Sequence, residues 1–383
     1  MADKEAPKRR SRFVVVLLAV PLLCLLVFGI PPLVRYFSGE GAVQHLDAAE
    51  LPTATVTPHL EVSHATPRNL VWCATFQFTW NELCDHLGED IHMANEPPAV
   101  AVLNKKSAAK KDLDEASYYV ACGRVKDSTI AKISRDMAAK FGVRPKSLPP
   151  RAGLDPHAVV AYAYLAKDLL FGTPFEPIRR PFVFADVPVA AFGVQEQKRG
   201  MKADEGFDEI LKQVTVWDYE GPEDFVIELK STSPGDRLIL AKVRPAATLD
   251  ATIRAVQARM SKAVAEELTP GDVLEVPKLN FDLRRSYDEL CGRPLKLKNT
   301  PFSSQLMLLW AEQSIRFKLD EKGAELRSEA SSGIACSKPS TPRPKFRLVF
   351  DKPFLLMLQR ADSTRPYFVL WAGDATFMQK VEP

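Results

Sequence analysis

The alternation of apolar and polar residues divides the chain into a membrane-type run, a patternless stretch and a long mixed region. Residues Phe13 to Val34 carry no charge and are mostly Val, Leu, Phe and Ile. Twenty-two such residues, as a helix, span a hydrocarbon core of roughly 30 Å. Pro21, Pro31 and Pro32 weaken that helix locally, which membrane helices tolerate. Residues 36–66 show no strong period and read as a linker. From 67 to 383 the pattern is that of a globular domain.

Within that domain, 69–87, 108–122 and 127–141 read as helices, the first rich in aromatics (Trp72, Phe76, Phe78, Trp80). Pro145, Pro149, Pro150 and Pro156 then break the helical pattern. Strands follow at 158–166, 213–219, 224–230 and 237–243. A helix over 249–268 carries Leu249, Ile253, Val256, Met260, Val264 and Leu268 on one face, which predicts core packing. Strands resume at 271–283, 305–319, 346–350, 353–359 and 366–372. In 314–319, Ile315, Phe317 and Leu319 alternate with Ser314, Arg316 and Lys318, so one face is buried. Early helices followed by long strands predict an α+β fold with large sheets.

Charge sets the orientation. Lys8, Arg9, Arg10 and Arg12 precede the apolar run, which predicts a cytoplasmic N-terminus and an extracytoplasmic domain. The run is long for a cleaved signal peptide, and no small-x-small cleavage site follows it, so residues 1–35 read as a cytoplasmic tip and an uncleaved signal anchor. Over 383 residues, 51 Lys+Arg against 48 Asp+Glu leave a net charge of +3, which argues against a dedicated nucleic-acid binder. Apolar residues at 46% exclude a disordered chain.

The chemistry-bearing residues form no catalytic pattern. All six histidines (45, 59, 64, 86, 92, 157) precede residue 158, so nothing later supplies an imidazole base or ligand. No GxSxG, HExxH, Walker or GxGxxG element occurs. Cys84, His86 and His92 cluster, but their spacing fits no standard metal site. The cysteines, at 24, 73, 84, 122, 291 and 336, include no CxxC pair. Cys73 and Cys84, eleven apart on one expected helix, would lie about 16 Å apart and could not bridge. The chain reads as a non-enzyme without metal or cofactor.

Five segments, in order, resemble the serpin family of serine protease inhibitors. Leu348 to Leu358, an apolar strand entered through Asp351-Lys352-Pro353-Phe354, resembles its C-terminal signature. Arg365 to Gly373 resembles the paired last strand, and Ile315 to Glu325 the strand and hinge that launch the reactive loop. Leu274 to Phe281, followed by Ser286-Tyr287-Asp288-Glu289-Leu290, resembles a Pro-Lys strand and the helix after it. Tyr162 to Phe175 resembles the central strand, with Phe171 where tryptophan is usual. The match covers about 157–383. Residues 68–150 match poorly, and the family's Ser-Pro-x-Ser shutter segment is replaced at about its place by Asn95 to Ala99.

The resemblance implies a serpin-like α+β fold, with N-terminal helices and an exposed reactive-centre-type loop. In the family such a loop is offered to a serine or cysteine protease and, once cleaved, would insert as a new strand in a large sheet. Glu321, Gly323, Ala324 and Glu325 would be the hinge, and Lys278 would pair with Glu321 across the top of the sheet. The scissile bond would fall at Ser337–Lys338, with Lys338 or Arg343 open to a trypsin-like protease. Ala324, Leu326, Ser328 and Ala330 share one face of the loop, so its alternation permits insertion. Leu326 stands where Ala is usual, and overpacking costs about 1–3 kcal/mol. Two functions stay open: a tethered non-inhibitory binding or structural module, which hinge and shutter favour, and a tethered suicide inhibitor.

Overall fold

The structure is a computed structural model that describes residues 43–64, 69–145, 148–150, 153–195, 205–233, 235–298, 306–321 and 344–381. Two large sheets carry the domain. The five-stranded sheet has the order β1 (Gln44–Asp47), β15 (Leu279–Ser286), β16 (Leu308–Leu319), β5 (Val159–Asp168) and β4 (Tyr118–Arg124). β15 pairs antiparallel with β16, and β4 antiparallel with β5. Between these two halves β16 and β5 run parallel, in register from Leu308 opposite Val159 to Lys318 opposite Asp168. The sheet therefore holds a central parallel seam.

The eight-stranded sheet has the order β13 (Glu266–Glu267), β10 (Val214–Gly221), β11 (Asp224–Lys230), β12 (Asp236–Lys242), β18 (Phe354–Arg360), β19 (Pro366–Ala372), β3 (Asn69–Cys73) and β2 (Ala54–Thr57). Its inner strands β18 and β19 are near-continuous apolar runs because they are buried on both faces. A four-stranded sheet joins β17 (Arg347–Val349), β14 (Val273–Pro277), β9 (Ala191–Val194) and β6 (Glu176–Pro177). A hairpin pairs β7 (Phe182–Phe184) with β8 (Val187–Val189).

Helix α1 (Ala74–Leu87) packs under the five-stranded sheet. Its Phe76, Trp80 and Leu83 share a buried cluster with Val159, Ala161 and Ala163 of β5. Helix α2 (Pro98–Leu103) adds Val100 and Leu103 to that cluster. Helix α3 (Thr129–Phe141) covers the opposite face, where Ile133, Met137 and Phe141 meet Val160, Tyr162 and Tyr164. The two-residue period of β5 thus feeds two different cores. Helix α4 (Glu205–Lys212) and helix α5 (Leu249–Lys262) flank the eight-stranded sheet.

The expected α+β fold with large sheets is the one found. Several local expectations need correction. Residues 69–73 are strand, and helix begins only at Ala74, because Leu70 to Cys73 pair with Trp371 to Phe368 of β19. Cys73 therefore precedes the helix. Residues 108–122 hold two 3-10 turns, Lys110–Asp112 and Glu115–Ser117, and then β4. Pairing with β5 overrides the helix propensity of that tract. Helix α5 stops at Lys262 because Glu266–Glu267 pair with β10, and Val264, expected on its apolar face, is exposed. Residues 43–64, within the expected linker, supply two edge strands, β1 and β2. Four-residue edge strands bond mainly through backbone and leave little side-chain period to read.

Candidate functional site

The seam and its upper end carry the geometry relevant to the hinge. The chain leaves β14 at Pro277 and enters β15 at Leu279, so Lys278 is a one-residue link between strands of the four-stranded and five-stranded sheets. Its N–H donates to the Ala190 carbonyl (2.8 Å), and its carbonyl accepts from Gln379 N–H (2.9 Å). Leu279 is in register with Leu319, which sets Lys278 beside the chain leaving β16. Lys278 Nζ lies 2.5 Å from Glu321 Oε2, with both side chains mostly buried. The contact is an ion pair. The Glu321 carbonyl accepts from Phe175 N–H (2.9 Å).

Phe175 belongs to an aromatic cluster with Phe171 and Phe192, at centroid distances of 4.8 and 5.7 Å. Phe171, in the position expected for a tryptophan, is a buried member of that cluster. The Gln213 amide holds the intervening turn: its Oε1 accepts from Thr173 N–H (2.9 Å), and its Nε2 donates to the Thr173 carbonyl (2.8 Å).

Beneath the seam lies a buried polar network not read from the sequence. Tyr287 Oη donates to Gln313 Oε1 (2.8 Å). Gln313 Nε2 donates to Thr75 Oγ1 (2.8 Å) and to the Cys73 carbonyl (3.1 Å). Thr79 Oγ1 reaches the Tyr162 carbonyl of β5 (3.2 Å). One signal was legible: by alternation Gln313 falls on the inward face with Ile315 and Phe317, a polar residue in an apolar row. Asn95 to Ala99 does not supply this network. Pro98 opens α2, and the Asn95 carbonyl accepts from Arg293 (2.9 Å).

On the outer face a groove of about 630 Å³ overlies the seam, lined in part by Tyr162, Tyr164, Glu312 and Ser314. Its rim carries the His45–Asp282 hydrogen bond (3.1 Å), the Arg284–Glu312 ion contact (3.4 Å) and the Arg284–Asp47 pair.

Burial pushes the Cys73 and Cys291 thiols up to about 11 and Cys122 to about 12, and it raises Cys84 as well. None of these is a thiolate at neutral pH, and all four are free. Cys84, His86 and His92 do not converge. His92 faces Glu96 (3.0 Å), and no group of three His, Cys, Asp or Glu among the described residues could hold a metal.

The C-terminal signature residues are structural. Asp351 Oδ1 accepts from the buried Lys242 Nζ (2.7 Å), and the Asp351 carbonyl accepts from Ala185 N–H (3.1 Å). Pro353 precedes β18, and Phe354 packs edge-on against Phe350 (5.1 Å) and Phe184 (5.9 Å). Gly323, Ala324, Glu325, Ser337, Lys338, Arg343 and Cys336 lie outside the described residues, as do Cys24 and the apolar run 13–34. No helix among the described residues is long and apolar enough to cross a membrane.

Two strand placements agree with the expectations of the family resemblance. The segment entered through Pro353-Phe354 is β18 and pairs with the last strand β19, and the 162–175 segment begins within β5, an inner strand of the five-stranded sheet. No family model and no curated protein matches the chain. Among solved structures it is similar to serine protease inhibitor (serpin)-12 of Manduca sexta, at 14% identity and a TM-score of 0.47 over 81% of this chain and 94% of that one. It is also similar to native protease nexin-1, solved with heparin, at 14% identity and a TM-score of 0.46 over 80% and 92%.

Proposed function

We propose that the chain is a membrane-anchored protein of the serpin family, a non-inhibitory binding or structural module whose loop does not insert. The observation that carries this reading is the close packing of the layer beneath the seam, set against the bulk of Leu326 in the sequence. Ala161, Ala163, Ile315 and Phe317 are buried on the inner face of β5 and β16, with Phe281 and Phe368 packed against Phe317. A strand entering there as Ala324, Leu326, Ser328 and Ala330 would set Leu326 on that packed layer, and overpacking of about 1–3 kcal/mol slows insertion. Suicide inhibition needs insertion to outrun release of the protease. The uncharged run 13–34 behind Lys8, Arg9, Arg10 and Arg12 supports a single-pass anchor with an extracytoplasmic domain.

A paired melt of the full chain tests the role. The loop is nicked between Glu329 and Phe346 with trace protease and compared with the intact form. An unchanged melting temperature supports the module. A rise well beyond 10 °C would show insertion and favour the second reading, an inhibitor of serine or cysteine proteases cleaved at Ser337, Lys338 or Arg343. Protease protection of an N-terminal tag in sealed vesicles tests the anchor's orientation.

A further inference from the structure

A new strand between β5 and β16 requires the β4–β5 half to move from the β15–β16 half by one strand spacing, about 4.8 Å. Each half is tied to the eight-stranded sheet by a buried polar contact. On the β16 side the tie is Gln313, bonded to the Cys73 carbonyl of β3 and to Thr75. On the β5 side it is Lys167. By alternation Lys167 shares the inward face with Ala161, Ala163 and Leu165, a cation in an apolar row.

Lys167 Nζ forms an ion pair with Asp236 at the start of β12, with side chains 6% and 2% exposed. Nζ also lies 3.3 Å from Ser117 Oγ, beside β4, and 5.9 Å from the Tyr367 ring centroid. The second carboxylate oxygen of Asp236 accepts from Tyr367 Oη of β19 (3.0 Å). One buried constellation thus joins β5 to two strands of the other sheet. A 4.8 Å widening cannot keep both this tie and the Gln313 tie at hydrogen-bond length. Separating a buried pair leaves an uncompensated charge, which is strongly unfavourable.

The geometry points to a lock: Lys167, Asp236 and Tyr367 hold β5 against the eight-stranded sheet and, with the Gln313 tie, keep the parallel seam closed. The lock rests on the serpin-like reading and gives its closed seam a cause besides the bulk of Leu326.

The test is uptake of a fluorescein-labelled peptide of sequence 323–333 by the full chain, followed as the slow rise in anisotropy. Lys167→Met/Asp236→Asn removes the charges and leaves Tyr367 an acceptor. It is expected to take up the peptide at least ten-fold faster than the unchanged chain. Lys167→Arg keeps the pair and the slow rate. Lys242→Met removes another buried cation, one that faces Asp351, and controls for general destabilisation. Should the double variant not fold, Tyr367→Phe, which deletes one hydrogen bond, shows a smaller acceleration in the same direction. Equal rates in the unchanged chain and the folded lock variants overturn the lock, as does an equal acceleration by Lys242→Met. A nicked, unchanged chain that gains heat stability would instead overturn the non-inhibitory reading.

Discussion

Lys278 and Glu321 are 43 positions apart in sequence and 2.5 Å apart in space, paired where β14 passes into β15 and β16 ends. The register of Leu279 with Leu319 brings them together. Glu321→Gln removes the ion pair and keeps the backbone bond from Phe175. With both partners mostly buried, the expected loss is about 1–2 kcal/mol, above the range of exposed pairs. Denaturant unfolding measures it, and amide exchange at Phe175 rises. No change in either would mean that the pair does not fasten this end of the seam.

Gln313→Leu tests the network under the seam. Leucine is close in volume but removes the Gln313 partner of Tyr287 Oη and of the Cys73 carbonyl, while Thr75 Oγ1 keeps its contact with Cys73 Sγ (3.2 Å). Each buried unsatisfied group costs about 1–3 kcal/mol. The variant should lose several degrees of melting temperature. Tyr287→Phe, which orphans only Oε1, should lose less.

Gly193 in β9 sits at φ +156°, and a Cβ there would lie 1.8 Å from the Leu274 carbonyl oxygen of β14. Backbone of a buried strand cannot step aside as a flexible side chain would. Gly193→Ala is therefore expected to cost about 3 kcal/mol or more. A melting temperature within two degrees of the unchanged protein would contradict the close approach of β9 and β14.

Ala185 and Asp186 form the two-residue turn of the β7–β8 hairpin with φ of +43° and +71°. Both lie in the left-handed region, where a Cβ is unfavourable by roughly 1 kcal/mol. Ala185→Gly should stabilise the domain by about 0.5–1 kcal/mol, read from the urea midpoint at unchanged slope.

His64 sits edge-on to Trp371 (4.9 Å), with Nε2 3.1 Å from Thr252 Oγ1. Burial holds its pKa below the ordinary value, and burial is also the main effect lowering His59. In the unfolded chain both take up a proton near pH 6.5. The unfolded state then binds more protons than the folded one, so stability is full above about pH 6.5 and falls as pH drops toward the lowered folded values. His64→Gln should flatten the decline in melting temperature between pH 7 and 5. An unaltered slope would rule out His64 as a source of it.

The sequence by itself determined those elements whose side chains repeat along one segment. Helix α3 was expected over 127–141 and runs Thr129–Phe141, because Ile130, Ile133, Met137 and Phe141 recur at helical spacing. The strands 224–230 and 366–372 were legible as dense apolar runs, and they are Asp224–Lys230 and Pro366–Ala372. Lys278 and Glu321 were placed together through the family resemblance alone, since no local period connects them.

Only the tertiary structure decided which strands meet. Leu70 to Cys73 are strand because β19 lies beside them, and Tyr118 to Arg124 because β5 does; an apolar run without a period fits helix and strand alike. The parallel seam, the Gln313 network and the Lys167–Asp236 pair all join residues far apart in the chain. Backbone pairing and the satisfaction of buried polar groups are set by neighbours in space, so a one-dimensional pattern shows that Gln313 and Lys167 stand on apolar faces but not what they reach.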